Sequence, residues 1–141
     1  MNRVYLTSIL MTAAFFAGPV LCPAYAQEQN KEPDIMELAE NEADRLQRLL
    51  DLDDWQTFYV DSTLKHDYPA MREELDNLSK AKVSNVSIYV AVQDKWMEAI
   101  DKSYRTIFND QQWTAYLKSG AAKQQKARAK RKEKAEGKKS K

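Results

Sequence analysis

Glycine is scarce in this sequence of 141 residues, and its scarcity restricts both fold and chemistry. The three glycines are Gly18, Gly120 and Gly137, so residues 27–117 contain none. Phosphate-binding loops, nucleophile elbows and primed hairpin turns need glycine for a positive φ or for close approach of the backbone. Residues 27–117 therefore exclude the Walker A, G-x-G-x-x-G and G-x-S-x-G motifs, and they favour helices joined by short turns.

Cysteine and histidine are scarcer still, with Cys22 and His66 the single copies. A zinc site built from His and Cys, or a catalytic triad, would depend on His66 alone. His66 lies beside Asp67 in a charged stretch, which favours a solvated side chain over a catalytic base. We expect no enzymatic activity, no cofactor and no metal site.

The N-terminus has the pattern of a secretory signal peptide over residues 1–26. Arg3 gives a basic start, Leu6 to Ala17 form an apolar run, and Ala24-Tyr25-Ala26 is a small-x-small cleavage site. The run is shorter than the roughly 20 apolar residues of a membrane span. We predict cleavage near Ala26 and export to the periplasm or an equivalent space.

Cys22 bears on whether the chain is anchored by a lipid and on whether it can form a disulfide. The alternative of a lipoprotein anchored at Cys22 is disfavoured, because Pro19-Val20-Leu21 lacks the small residues that usually precede a lipidated cysteine. Cleavage removes Cys22, so the exported chain has no disulfide and packing alone must hold it.

Charge divides the remaining chain into an acidic body and a basic tail. Residues 27–117 carry 10 Lys and Arg against 19 Asp and Glu, whereas residues 118–141 carry 11 against 2. The apolar spacing predicts an all-α fold of three to four amphipathic helices in a bundle. We expect a flexible leader at 27–34, a helical domain at 35–120, and a tail at 121–141 that is a frayed helix or disordered.

Helix starts are signalled along the body. Asp34 can cap a helix over about 35–50, and Ser84 or Asn85 can cap the third helix. The second helix begins near residue 54 and contains Pro69, which predicts a kink, or alternatively a break into two helices.

The most distinctive pattern is a repeat offset by 56 residues. Leu52-Asp53-Asp54-Trp55-Gln56 recurs as Phe108-Asn109-Asp110-Gln111-Gln112. Asp53 with Gln56, and Asn109 with Gln112, have the spacing of a capping box, in which the cap and the third helical residue bond each other's backbone N–H. The acidic cluster Asp51, Asp53 and Asp54 is interpreted as part of this capping, since the glycine and distant glutamate of a calcium loop are missing.

Ten aromatic residues in the body admit two interpretations. They fill the core, as a domain without disulfides requires, or some of them line an exposed surface that binds varied partners. The residues that we expect to bind a client polypeptide on the second interpretation are Trp55, Phe58, Tyr59, Trp96, Trp113 and Tyr116.

The basic tail admits three roles. It is a solvated tail that aids solubility, it folds back onto the acidic body, or it binds an anionic lipid, glycan or protein surface. Nucleic acid is not an expected partner of an exported protein. The candidate anion-binding residues are Lys123, Lys126, Arg128, Lys130, Arg131, Lys132 and Lys134.

The repeat resembles the paired L-T-x-x-Q motifs of the Spy/CpxP family of periplasmic proteins. The first copy matches at Leu52 and Gln56, with Asp53 in place of Thr, and the second keeps Gln112. Over about residues 35–120 the resemblance implies a long, bent, antiparallel helical hairpin that dimerises into a shallow cradle. It further implies an ATP-independent chaperone or a regulator of envelope stress signalling. Zinc binding, known in some relatives, finds no support in a chain with one histidine.

Two functions are therefore expected from the sequence. The first is an exported protein that shields apolar segments of unfolded or partly folded polypeptides without ATP. The second is a structural or adaptor protein of the cell envelope whose basic tail docks an anionic partner.

Overall fold

The computed structural model describes residues 34–139, with side chains through residue 137, and contains helices without strands in that range. The predicted signal peptide, Cys22 and all of the leader except Asp34 lie outside the described residues. The prediction of an all-α fold is confirmed. The elements are α1 (Ile35–Leu50), α2 (Asp54–Lys80), α3 (Val86–Ile107), α4 (Asp110–Tyr116), a π-helical turn (Leu117–Ala121) and α5 (Ala122–Lys139).

Side-chain caps fix where the helices begin. The Asp34 carboxylate accepts from the Met36 N–H at 3.2 Å at the start of α1. Of the two candidate caps for α3, Asn85 is used, and its side chain accepts from the Ser87 N–H at 3.0 Å. The second helix runs through Pro69 as one element, so the alternative of two separate helices is wrong.

Both predicted capping boxes are formed. At the start of α2, Asp53 accepts from the Gln56 N–H at 2.8 Å, and the Gln56 side chain accepts from the Asp53 N–H at 3.2 Å. Asn109 and Gln112 repeat the arrangement at the start of α4, at 2.9 and 3.0 Å. Each box satisfies two backbone donors that a helix N-terminus leaves without intrahelical partners.

The core lies where α1, α2, the C-terminal half of α3 and α4 meet. It contains small and aliphatic side chains of α1, α2 and α3, the side chains of Leu52 and Phe108 from the connections that follow α1 and α3, and the tyrosine rings of α3 and α4. Tyr104 stacks on Phe108 with ring centroids 5.1 Å apart, and Tyr116 packs edge-on against both rings. The buried members of the cluster are Ala39, Ala43, Leu46, Leu50, Leu52, Val60, Leu64, Ile100, Tyr104, Phe108 and Tyr116.

The tail is a helix that lies on α3. Gly120 has φ +118°, a value that L side chains rarely adopt, and the chain kinks there between α4 and α5. Of the alternatives predicted for residues 121–141, the chain through Lys139 is helical. No helix within residues 34–139 has both the length and the apolar character needed to cross a membrane.

Candidate binding surfaces

Three aromatic side chains in the first two turns of α2 form an exposed cluster, here called the aromatic patch: Trp55, Phe58 and Tyr59. Their exposed fractions are 54%, 64% and 45%. The ring centroids of Trp55 and Tyr59 are 4.9 Å apart, and those of Phe58 and Tyr59 are 5.5 Å apart. The rings support one another and leave their outer faces open to a partner.

The helical period explains why the patch points outward. Gln56, Val60 and Leu64 occupy the buried face of α2 at intervals of four residues. Trp55 and Tyr59 each come one position before a buried residue, and Phe58 comes two positions after Gln56. These offsets place the three patch residues on other faces of the helix. The burial of Gln56, Val60 and Leu64 therefore turns the patch towards solvent.

Two of the other predicted client-binding residues pack in or against the core, and the prediction for one of them is wrong. Tyr116 is 7% exposed and belongs to the core, where its hydroxyl donates to the Asp101 carboxylate at 2.6 Å. Trp113 is half-buried against the same core, with the Arg105 guanidinium 5.5 Å from its ring centre. Tyr116 cannot contact a client in this fold, because its ring completes the aromatic core.

Trp96 lies on α3 beside the C-terminal half of α2, whereas the patch lies on the first two turns of α2. The Trp96 indole N–H donates to the Glu74 carboxylate at 2.8 Å, joining α3 to α2, and the Lys95 ammonium lies 5.1 Å from its ring centre. The Glu74 carboxylate accepts from Lys95 as well, and the two donors lower the pKa of Glu74. The Trp96 side chain is therefore engaged in a bridge between helices.

The inner face of α5 carries basic side chains that pair with an acidic stripe on α3. Arg128 donates to Asp101, and Arg131 binds Asp94 through two hydrogen bonds of 2.6 and 2.7 Å. Lys132 lies 3.6 Å from the Glu98 carboxylate. These contacts confirm, for this face, the prediction that the tail folds back onto the acidic body.

Asp101 is the central group of this contact. Its two carboxylate oxygens accept from Tyr116 and Arg128, and the Asp101 and Arg128 side chains are only 10% and 12% exposed. Burial, followed by the hydrogen bond to Asp101, raises the pKa of Tyr116 above its ordinary value. The network thus ties the buried end of α4 to α3 and α5 through groups largely withdrawn from water.

The outer face of α5 presents the remaining predicted anion-binding residues. Each is exposed, and none has a hydrogen bond or ion pair with another described residue. We call this set the basic stripe: Lys123, Lys126, Lys130 and Lys134. The seven predicted residues therefore divide into an inner set that binds the protein itself and an outer set open to a partner.

The described residues show no cluster that could hold a metal ion, and their single histidine is largely exposed. Residues 34–139 contain no group of three or more His, Cys, Asp or Glu side chains placed to hold a metal. The His66 side chain is 80% exposed and its Nδ1 lies 2.7 Å from the Asp67 carboxylate.

One concave feature was missed by the sequence analysis. A cleft of about 660 Å³ lies between α5 and the helices beneath it, and its lining includes Met71, Met97 and Tyr116. The charge of the tail predicts that it meets the acidic body, but it does not fix where α5 lies, because ionic contacts leave no apolar stripe in the sequence.

Comparison with known proteins adds no relative: no protein-family model matches the chain, and no curated protein or solved structure is significantly similar to it.

Proposed function

We propose that this protein is an exported, ATP-independent binding protein that shields apolar segments of partly unfolded polypeptides. The observation that carries the proposal is the aromatic patch, in which three neighbouring rings of α2 are about half exposed or more. Large rings bury much apolar area per side chain with few rotatable bonds, so they suit a surface that accepts varied segments.

The charges around the patch indicate which segments it would prefer. Asp51, Asp53 and Asp54 are exposed and immediately precede or overlap it in the chain. Complementary charge hastens encounter and disfavours partners of like charge. A client segment that combines apolar side chains with Lys or Arg fits this surface better than an acidic one.

Suppression of aggregation tests the proposal. The variant W55Q/F58Q/Y59Q removes the rings while keeping residues that form helices well. The matched control is V86Q/I88Q, which removes two exposed apolar side chains, 71% and 41% exposed, from the start of α3. Since α2 has 27 residues and is about 40 Å long, the control lies far from the patch.

The expected result is that the parent chain and the control suppress aggregation of a chemically denatured client at equimolar ratio, and that the patch variant does not. Circular dichroism checks that all three are equally helical. Equal suppression by the patch variant and the parent, or none by the parent, contradicts the proposal. A client peptide series with Lys or Glu beside the same apolar core tests the charge preference.

A further inference from the structure

The basic stripe faces outward because α5 docks on α3 through its other face. In an α-helix each residue turns by about 100°, so spacings of three, four and four bring Lys123, Lys126, Lys130 and Lys134 onto one face within about 80°. Arg128 and Lys132, which pair with Asp101 and Glu98, lie about 160° from the middle of this face. Arg131, which binds Asp94, lies about 100° from it. Docking through the inner face thus fixes the orientation of the outer one.

The stripe is straight, regular and formed by lysine alone. It extends about 16 Å along the helix at a rise of about 1.5 Å per residue. Ala127 and Gly137 fall on the same side, so no bulky group stands between the ammonium groups and an approaching surface. A row of flexible point charges of this kind matches a flat anionic surface.

The chemistry of the stripe favours a lipid surface over nucleic acid. Single-stranded nucleic acid is held by aromatic stacking as well as charge, and the outer face of α5 carries no aromatic residue. The arginines of α5, which could grip phosphates bidentately, bind the carboxylates of α3 instead.

We propose that the outer face of α5 docks the protein on a membrane surface rich in anionic phospholipid, through Lys123, Lys126, Lys130 and Lys134. This activity goes beyond polypeptide shielding and does not depend on it. Each lysine near an anionic leaflet strengthens partitioning by about fivefold. The acidic residue Glu133 lies at one edge of the stripe and weakens the attraction.

Vesicle flotation with the full chain tests the proposal. Binding to vesicles of phosphatidylglycerol and phosphatidylcholine is compared with binding to phosphatidylcholine alone, which removes any contribution of the apolar run near the N-terminus. The stripe variant is K123Q/K126Q/K130Q/K134Q. The matched control, K80Q/K82Q/K102Q/K118Q, removes the same number of charges at exposed lysines without ion pairs in the described residues.

The expected result is a loss of about 600-fold in phosphatidylglycerol-dependent partitioning for the stripe variant, which lacks four lysines worth about fivefold each, with at most a fewfold loss for the control. Raising NaCl to about 1 M, where the screening length is about 3 Å, should abolish the binding of the parent. The single variant E133Q should bind more tightly by a fewfold factor.

Several outcomes would overturn the proposal. Equal losses for the stripe variant and the control would show that net charge alone acts. The proposal would also be wrong if the parent showed no phosphatidylglycerol-dependent binding. Binding of the parent to an oligonucleotide without binding to the vesicles would contradict it as well. None of these results bears on aggregation suppression, which is measured without lipid.

Discussion

The side-chain amides of Gln56 and Gln112 donate hydrogen bonds to each other. Gln56 Nε2 lies 2.7 Å from Gln112 Oε1, and Gln112 Nε2 lies 2.9 Å from Gln56 Oε1. Gln56 Nε2 also donates to the Ile107 carbonyl at 2.9 Å, and Gln112 Nε2 donates to the Asp51 carbonyl at 3.5 Å. Each of these carbonyls lies two residues before the cap of the other glutamine's helix. The two copies of the repeat therefore meet face to face and join the start of α2 to the start of α4.

Replacing either glutamine by alanine should lower the free energy of unfolding by about 1–3 kcal/mol, because each change leaves buried or half-buried polar groups without partners. The double variant Q56A/Q112A should lose less than the sum, by about 1 kcal/mol, since the shared pair is removed only once. Urea denaturation of the parent, the two single variants and the double variant gives the double-mutant cycle. Q111A, at an exposed neighbour, should change stability by no more than about 0.5 kcal/mol, and strict additivity would contradict the pairing.

The buried contact between Asp101 and Arg128 predicts a larger effect. Asp101→Ala leaves a guanidinium that is 12% exposed without its counter-charge, which should cost about 3–5 kcal/mol. R131Q breaks a contact whose arginine is 46% exposed, and it should cost no more than about 1 kcal/mol.

A charge-free replacement separates packing from electrostatics in that contact. In R128M/D101N no buried charge remains, and the asparagine oxygen can still accept from Tyr116. The double variant should recover part of the stability lost in D101A, as measured by urea denaturation. If it is no more stable than D101A, the loss arises from packing and not from an unpaired charge.

The starts of α1, α2 and α4 could be predicted from sequence because capping is local chemistry. Asp34, Asp53 and Asn109 each bond an N–H within three residues, so spacing alone identifies them. The pairing of Gln56 with Gln112 could not be predicted, since it joins residues that only the tertiary fold brings together.

The burial of the aromatic residues was hard to predict for a related reason. Gln56, 7% exposed, takes a core position that apolar periodicity assigns to a hydrophobic residue. It can do so because Gln112 and Ile107 satisfy its amide. Trp55 and Phe58 are displaced outward in consequence. The division of charge predicts that the tail folds back onto the body, but not that α5 docks on α3, because ion pairs leave no apolar stripe in the sequence.

Gly120 should resist substitution although its surroundings are open. Nothing lies within 4 Å of a Cβ built there, so the cost of G120A is conformational and comes from its φ of +118°. We expect a loss of about 1–3 kcal/mol, with faster hydrogen exchange in α5. G137A, in the same tail but with helical backbone, should be neutral or stabilising by up to about 1 kcal/mol. Equal effects at both positions would contradict the assigned kink.

Tyr104 should make the fold sensitive to alkali. Burial is the main cause that raises the pKa of its phenol, with Tyr68 and Tyr116 adding to the effect. In the unfolded chain a tyrosine titrates near pH 10. Stability is therefore unaffected by this group below about pH 10. Above it, stability falls with rising pH by about 1.4 kcal/mol per unit, because the unfolded state releases the proton first.

The variant Y104F isolates this contribution. Its hydroxyl has no hydrogen-bond partner among the described residues, so its removal should change stability by no more than about 1 kcal/mol at pH 7. Between pH 10 and about pH 12 the variant should lose stability less steeply than the parent, while Tyr116, whose pKa is also raised, keeps part of the slope. Urea denaturation across this range gives the slopes, and identical slopes for Y104F and the parent would show that Tyr104 ionises without unfolding the core.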